Sequence, residues 1–394
     1  MVIDTMRTTV VDKLKLAIAI FGQAACGAVT LAEDPITRDQ ILPRVPSLRV
    51  QPIYTGEVFS NTRGGITTND ATRYLGMMNL GLTLECSTLK PSLPGKFYLL
   101  TQNTHGQGLT TEFVGDTQVV SNIDAYRNIM QVSEYWWECS SEDEFVVLRI
   151  GKQDFNTEFM AMETTSPFVQ SSFGLSPSTA FPTFPNQSMG AVLILQLAES
   201  WRWKSGLWDA FSRGGTWGFS GNSSIVLASE LEYTYALDGG QLPGILSVGA
   251  VYESSETVDA KSVPAVYEYV LQWEQTLHKE EGLDPLNQGL SLFAGVYPRF
   301  AGEAALEDSI GNSLVAGVVY TGLLPGRDRD CLGIGVAWAE LYRGGTNEET
   351  VTELFYRIQL AERLTLQPDF QYVASPSGVY PDAFVIGTRS QITW

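Results

Sequence analysis

Apolar and polar residues alternate one by one along most of the chain after residue 47. Leu48, Val50, Pro52, Tyr54 and Val58 alternate with Arg49, Gln51, Thr55 and Glu57. Tyr74, Met78, Leu80, Leu82 and Leu84 alternate with Arg73, Asn79, Thr83 and Glu85. Ile225, Leu227, Leu231, Tyr233 and Tyr235 share one face, while Glu230, Glu232 and Thr234 take the other. The same holds for Tyr267, Tyr269, Leu271, Trp273 and Leu277 against Glu268, Gln272, Glu274 and Thr276, and for Leu354, Tyr356, Ile358 and Leu360 against Glu353, Arg357 and Gln359. A period of two is the mark of a strand with one apolar and one polar face.

A soluble sandwich would show the same alternation, but three features point elsewhere. The segments run to about 10–14 residues, twice the usual strand length of about 5 or 6. Aromatics gather near their ends, as in Tyr135-Trp136-Trp137 and Trp201-Arg202-Trp203, the pattern of a membrane-interface girdle. The chain also finishes inside an alternating segment, Phe384, Ile386, Ile392 and Trp394, with an aromatic last. Sixteen segments are counted: 48–59, 73–86, 96–106, 126–138, 144–155, 190–199, 201–211, 223–235, 243–254, 264–277, 288–299, 312–322, 331–342, 350–361, 363–374 and 382–394. The pattern predicts an all-β fold, a closed antiparallel transmembrane β-barrel of about sixteen strands spanning 48–394.

The N-terminus reads differently. Arg7, Lys13 and Lys15 precede an apolar stretch, Leu16 to Phe21, that ends in Thr30-x-Ala32. This predicts a secretory signal peptide over 1–32, followed by an N-terminal periplasmic segment over 33–47. No later apolar run is long enough for a transmembrane helix. Charge narrows the partners: 25 Lys+Arg against 44 Asp+Glu leave a net −19, which excludes a basic nucleic-acid surface. With export, Cys86, Cys139 and Cys331 remain, an odd number without metal-ligand spacing, so isolated cysteines are expected and no metal site. Only two histidines exist, His105 and His278, with no nucleophile spacing around either.

Parity sorts the connections. With the N-terminus on the periplasmic side, odd-to-even connections face outward and even-to-odd ones are turns; those at Ser200 and Glu362 are nearly points. The third outward connection, Asn156 to Met189, is by far the longest, and it carries Pro177, Pro182 and Pro185 with Phe159, Phe168, Phe173, Phe181 and Phe184. Five rings waving in water would be unusual without a partner. The expectation is an ordered segment folded into the barrel.

Several motifs, in one order, carry a family resemblance. They are Tyr54-Thr55-Gly56-Glu57, Asn61-Thr62-Arg63-Gly64-Gly65, and Gly151-Lys152-Gln153-Asp154-Phe155-Asn156-Thr157-Glu158-Phe159, then Ser171-Ser172-Phe173-Gly174. Glu230-Leu231-Glu232-Tyr233, Gly322 to Arg327 with Asp330, and Gln367-Pro368-Asp369-Phe370-Gln371-Tyr372 follow. The chain resembles the OprB-type carbohydrate-selective porins over most of its length after residue 32. Cys86 and the terminal Trp394 depart from the family's pattern. The resemblance implies passive diffusion of mono- and small oligosaccharides across an outer membrane, with no cofactor. In sixteen-stranded porins a long third loop narrows the pore, which would make Asn156 to Met189 the constriction. Expected partners are the sugars, outer-membrane lipids and further copies of the chain, as a trimer.

For such a pore the inward-facing polar residues tune selectivity. By parity these are Glu57, Arg73, Arg149, Glu230, Glu232, Glu353, Arg357, Asp369, Gln371 and Arg389. Phe155, Phe159, Phe168 and Phe173 would offer ring faces to sugar C–H surfaces. Asp154 and Asn156 break the alternation and are expected to anchor the start of the long loop. Single inward charges could equally be a solvated wall. Enzyme readings fail: Glu230 and Glu232 would suit a glycosidase by type, but two apart on a strand they stand side by side. Gly333-x-Gly335 lies on a strand and cradles no phosphate. The alternatives kept open are a general or cation-preferring porin, which the net charge would suit, and a plugged structural or surface-binding barrel.

Overall fold

The computed structural model describes residues 48–394 except 91–92, 178–181, 212–213, 222–223, 255, 259–260, 264, 281–287, 302–309 and 343–347. The export and periplasmic segments expected over 1–47 lie outside the described residues. The first eight long strands are β1 (Leu48–Arg63), β2 (Thr72–Glu85), β3 (Lys96–Gly106), β4 (Ile129–Ser140), β5 (Val146–Gln153), β6 (Ser188–Ala198), β7 (Trp201–Asp209) and β8 (Ile225–Leu237). They are followed by β9 (Leu242–Glu253), β10 (Val266–Lys279), β11 (Gly289–Tyr297), β12 (Ile310–Thr321), β13 (Cys331–Leu341), β14 (Glu348–Ala361), β15 (Leu364–Ala374) and β16 (Ala383–Thr393). Each of the sixteen segments read from the alternation holds one of these strands. Arg299–Ala301 extends the wall beyond Pro298, and Glu256–Val258 with Lys261–Val263 form a separate hairpin.

Every long strand pairs antiparallel with its sequence neighbours, and β1 also pairs with β16, from Ile53 opposite Thr393 to Glu57 opposite Arg389. An even count makes that last pair antiparallel, so the sheet closes without an edge, the condition under which strand amides can be satisfied in lipid. The longest connections, 107–128, 154–187 and 210–224, lie at one end, and the two-residue turns after β6 and β14 lie at the other.

Alternation becomes sidedness. On β8, Leu227 and Leu231 are exposed while Ala228, Glu230 and Glu232 are buried. Tyr269 and Leu271, Ile334 and Val336, Leu354, Phe370 and Ile386 continue the outward apolar band. This is the lipid face of a membrane barrel, with polar groups turned to the lumen. Tyr135, Trp136 and Trp137 cannot share one girdle, because the pleat turns Trp136 inward, where it meets Tyr98 with ring centroids 4.8 Å apart. Trp137, pointing outward, donates its indole N–H to Pro94 O at 3.2 Å, and Trp201 meets Tyr233 at 4.5 Å on the same outer surface.

Candidate functional site

The connection between β5 and β6 is fastened first at its own roots. Asp154 Oδ1 accepts from the backbone N–H of Asn156 and the hydroxyl of Thr183, both at 2.8 Å, and its Oδ2 accepts from Phe184 N–H at 2.8 Å. Asn156 donates its side-chain N–H to Phe159 O at 3.2 Å. Both residues thus anchor the segment, as the broken alternation suggested. Burial raises the Asp154 carboxyl above its ordinary range.

From those roots the chain meets the inner face of strands on the far wall. Glu230 Oε2 on β8 accepts Met160 N–H at 3.2 Å. Glu274 on β10 takes two consecutive amides, Glu163 at 3.1 Å and Thr164 at 2.6 Å. Glu353 on β14 takes Val169 at 2.7 Å and Gln170 at 2.9 Å, and Gln367 on β15 donates to Pro167 O at 2.9 Å. A carboxylate bridging two adjacent amides makes two charge-assisted bonds at once. It therefore fixes backbone, which a single hydroxyl or amide side chain does less firmly.

The rings do not face a passage. Phe159 and Phe173 are each 1% exposed, which corrects their expected role as sugar platforms. Phe155, Phe159 and Trp208 pack together at centroid distances of 5.2–5.4 Å, and Phe168 meets Phe173 at 4.2 Å, Phe355 at 4.9 Å and Phe293 at 5.4 Å. The physical reason is the hydrophobic effect: the rings of Phe155, Phe159, Phe168 and Phe173 pack on one another and on wall rings before they coat a water-filled wall. Glycines on the wall make room. A Cβ on Gly335 would stand 2.6 Å from the Phe173 ring, and one on Gly206 2.3 Å from the Trp208 ring.

A second connection, residues 107–128 between β3 and β4, does the same, and the sequence reading passed over it. Its Leu109, Phe113, Val114 and Val120 are buried against wall residues Phe59, Val351, Val373 and Val385. Glu349 on β14 accepts Thr117 N–H at 2.8 Å and Gln118 N–H at 2.9 Å, and Gln371 donates to Val120 O at 3.0 Å. The two connections are stitched together by Asn122 N–H to Val169 O at 2.8 Å and Ser171 N–H to Val119 O at 3.1 Å. Apolar residues in a stretch too irregular for a strand were the available signal. Asp116, buried here beside Glu349, has its carboxyl pushed up to about 8 by burial first and the neighbouring charge second.

Most of the other inward charges are held by a partner. Glu57 accepts from the Ser121 hydroxyl at 2.7 Å and from Arg389 Nε–H at 2.5 Å, while Arg389 Nη2 reaches Asn122 Oδ1 at 2.6 Å. Lys204 on β7 ion-pairs with Glu230 at 2.6 Å and also with Glu232, which holds Arg202 at 2.5 Å. Arg149 joins Glu138 at 2.5 Å to Glu158 at 2.9 Å. Arg73 donates to Gln107 Oε1 at 2.9 Å and lies 4.3 Å from the Phe113 ring centre. Arg357 donates to Gln391 at 3.1 Å, and Asp369 Oδ1 accepts from Gln371 at 3.2 Å. All the residues predicted for the lumen by parity do face inward, but most hold a loop or each other. Glu274, Glu349 and Lys204 belong with them and were missed.

Open space lies below the 160–167 segment, toward the short-turn end. One cavity of about 540 Å³ is lined by Gln196, Glu199, Arg202, Thr234 and Ser247, and a neighbouring one of about 340 Å³ by Gln275, Lys279, Gln288 and Ser291; both touch Glu163 and Glu274. Among the described residues no group of three or more His, Cys, Asp or Glu could hold a metal ion.

The comparisons agree with this geometry. The family described as "Carbohydrate-selective porin, OprB family" matches residues 69–394. Porin B of Pseudomonas aeruginosa is 21% identical over 397 residues, covering 86% of this chain and 86% of its own. The high-pH structure of Pseudomonas putida OprB superposes with a TM-score of 0.75 at 19% identity, over 88% of this chain and 94% of that one. The low-pH structure of the same protein gives 0.59 at 17% identity, over 88% and 92%. Such structural likeness shows a shared barrel fold, and the family match adds what the barrel is for. This chain belongs to the carbohydrate-selective porins of the OprB family.

Proposed function

We propose that the two connections over 107–128 and 154–187 form the narrow zone of a passive sugar channel, with the polar cavities beneath them as its periplasmic vestibule. Membership of the family makes the chain an outer-membrane channel for carbohydrates and not an enzyme. By the usual barrel arrangement the long-connection end faces outward.

The observation that carries the reading is how the inner wall spends its charge. Glu57, Glu230 and Glu232 are neutralised by Arg389, Lys204 and Arg202, while Glu274, Glu349 and Glu353 are occupied by backbone amides. A cation-preferring pore needs unpaired carboxylates facing the path, so that the lumen attracts counter-ions. Carboxylates already held by a cation or by two amides are less free to coordinate a passing cation, and the wall presents hydrogen-bond donors and acceptors to the path. That suits neutral polyhydroxylated solutes.

Liposome swelling with sugars of increasing size, read beside a zero-current potential in a salt gradient, tests this. Sugar entry that falls steeply with size, together with weak ion selectivity, is the expected result. Strong cation selectivity without entry of any sugar would remove the proposal.

A further inference from the structure

We propose that the outward pocket beside Tyr126 is a capture site for one ring of an uncharged sugar, standing before the narrow zone; the inference rests on the carbohydrate reading above. The pocket holds about 120 Å³ and is lined by Glu112, Asp124, Tyr126, Arg127 and Gln107. A space of this size takes the edge of one sugar ring and not a longer chain.

Its chemistry is mixed in the way sugars require. Tyr126 is 61% exposed, an open ring in a connection whose Leu109, Phe113, Val114, Val120 and Ile123 are buried. Asp124 Oδ1 accepts the Tyr126 backbone N–H at 2.8 Å and so sets where the ring stands. That carboxylate in turn lies on bare backbone, since a Cβ on Gly108 would come 1.8 Å from Asp124 Oδ2. Carboxylates accept sugar hydroxyls, a guanidinium donates to them, and a tyrosine face covers C–H groups. Two acids against one arginine leave the pocket negative, which disfavours phosphorylated and acidic sugars.

Position supplies the rest. The pocket shares Leu75, Gln107 and Gly108 with a gap of about 10 Å³ that touches Arg73, Ser121 and Glu57. The gap has room for about one water. A sugar held at Tyr126 therefore stands beside Gln107 and the Glu57–Ser121 cluster that seats the connection, where raising its local concentration favours entry.

Current block by a neutral disaccharide added to the outward side of single channels in a planar bilayer tests the site. Tyr126→Ala should weaken that block about tenfold and Tyr126→Phe should leave it near the parent value; Asp124→Asn should weaken it severalfold. A sugar phosphate should block no better in the parent protein than in Tyr126→Ala. Unchanged block in both Tyr126→Ala and Asp124→Asn, in channels that still admit sugar in swelling assays, would overturn the capture site alone. A parent protein that admits no sugar at all would overturn the carbohydrate reading with it.

Discussion

Arg389 stands directly across the closing seam of the barrel from Glu57, and the two ion-pair on the inner wall although they lie at opposite ends of the chain. The same Arg389 holds Asn122 and the same Glu57 holds Ser121, so the seam and the 107–128 connection share one polar cluster. Closing the barrel and seating the connection are thus a single event in energetic terms.

Arg389→Ala leaves the Glu57 carboxylate buried and uncompensated, which typically costs about 3–5 kcal/mol. The expected outcome is a lower unfolding temperature, followed by the loss of heat-modifiable mobility in detergent gels. Single-channel conductance should rise as residues 117–122 loosen. A Glu57→Gln/Arg389→Met pair should be less destabilised than the two single changes summed, because no lone charge remains.

Gly335→Val tests the fit between wall and rings. The added side chain enters space filled by Phe173 and Phe168, whose nearest ring atoms lie 2.6 and 2.8 Å from the new Cβ. Overpacking of this kind costs about 1–3 kcal/mol. The barrel should still insert, since the change lies on the inner face, and circular dichroism should keep its β signal. Conductance should change in magnitude or noise as the Ser171–Gly174 turn is displaced.

Much of this was legible in the chain because a membrane barrel obeys a rule of period two. Strand count, closure, sidedness and the inward set from Glu57 to Arg389 all follow from alternation and parity. Roles did not follow, because a carboxylate on the inner face can meet water, a cation or an amide, and only the incoming backbone decides. Glu353 reads as a lumen charge and turns out to hold Val169 and Gln170. Lys152 shows a second limit. On β5 it shares the outward direction of Ile150, yet it is buried, donating to the carbonyls of Val132, Gly214 and Thr216 under the connection after β7. No local pattern announces a loop laid over an outer wall.

Asp116 gives the 107–128 connection a pH dependence. Burial first, and the neighbouring Glu349 charge second, push its carboxyl up to about 8 in the folded state, far above the ordinary aspartate range. The folded form therefore binds the proton more tightly, and the stability this site contributes is full at low pH and falls as pH rises toward 8. Amide hydrogen exchange over residues 109–123 should quicken between pH 5 and 8 after correction for the intrinsic rate. Asp116→Asn, which stays neutral, should flatten that dependence.

Lys204→Met should shift ion selectivity. The ammonium is 2% exposed and shared by Glu230 and Glu232, so its removal leaves two carboxylates with only Arg202 between them. Reversal potentials in a potassium chloride gradient should move toward cation preference. Sugar swelling rates should change less than the potential does. Equal selectivity in parent and variant would mean that this cluster lies off the ion path.

The final prediction concerns the carboxylate clamps. Glu274 and Glu353 each hold two neighbouring amides, at positions 163–164 and 169–170, and between them the segment crosses above the cavities that touch Glu163 and Glu274. Removing one clamp leaves the other, together with the ring cluster of Phe168, Phe173, Phe293 and Phe355, to keep the segment seated. Each amide bond to a charged partner is worth about 1.5–3 kcal/mol, so a single Glu→Ala change should loosen the segment only in part. Glu274→Ala with Glu353→Ala should free it, because four amides then lose their acceptors inside the barrel. The double variant should admit larger sugars in swelling assays and discriminate less between small ones, while inserting and resisting detergent much as the parent does. A barrel lacking residues 160–185 should show the same change more strongly. If the double variant and the shortened barrel both pass sugars at the parent's relative rates, the segment does not set the exclusion limit, and the narrow zone must belong to residues 107–128 alone.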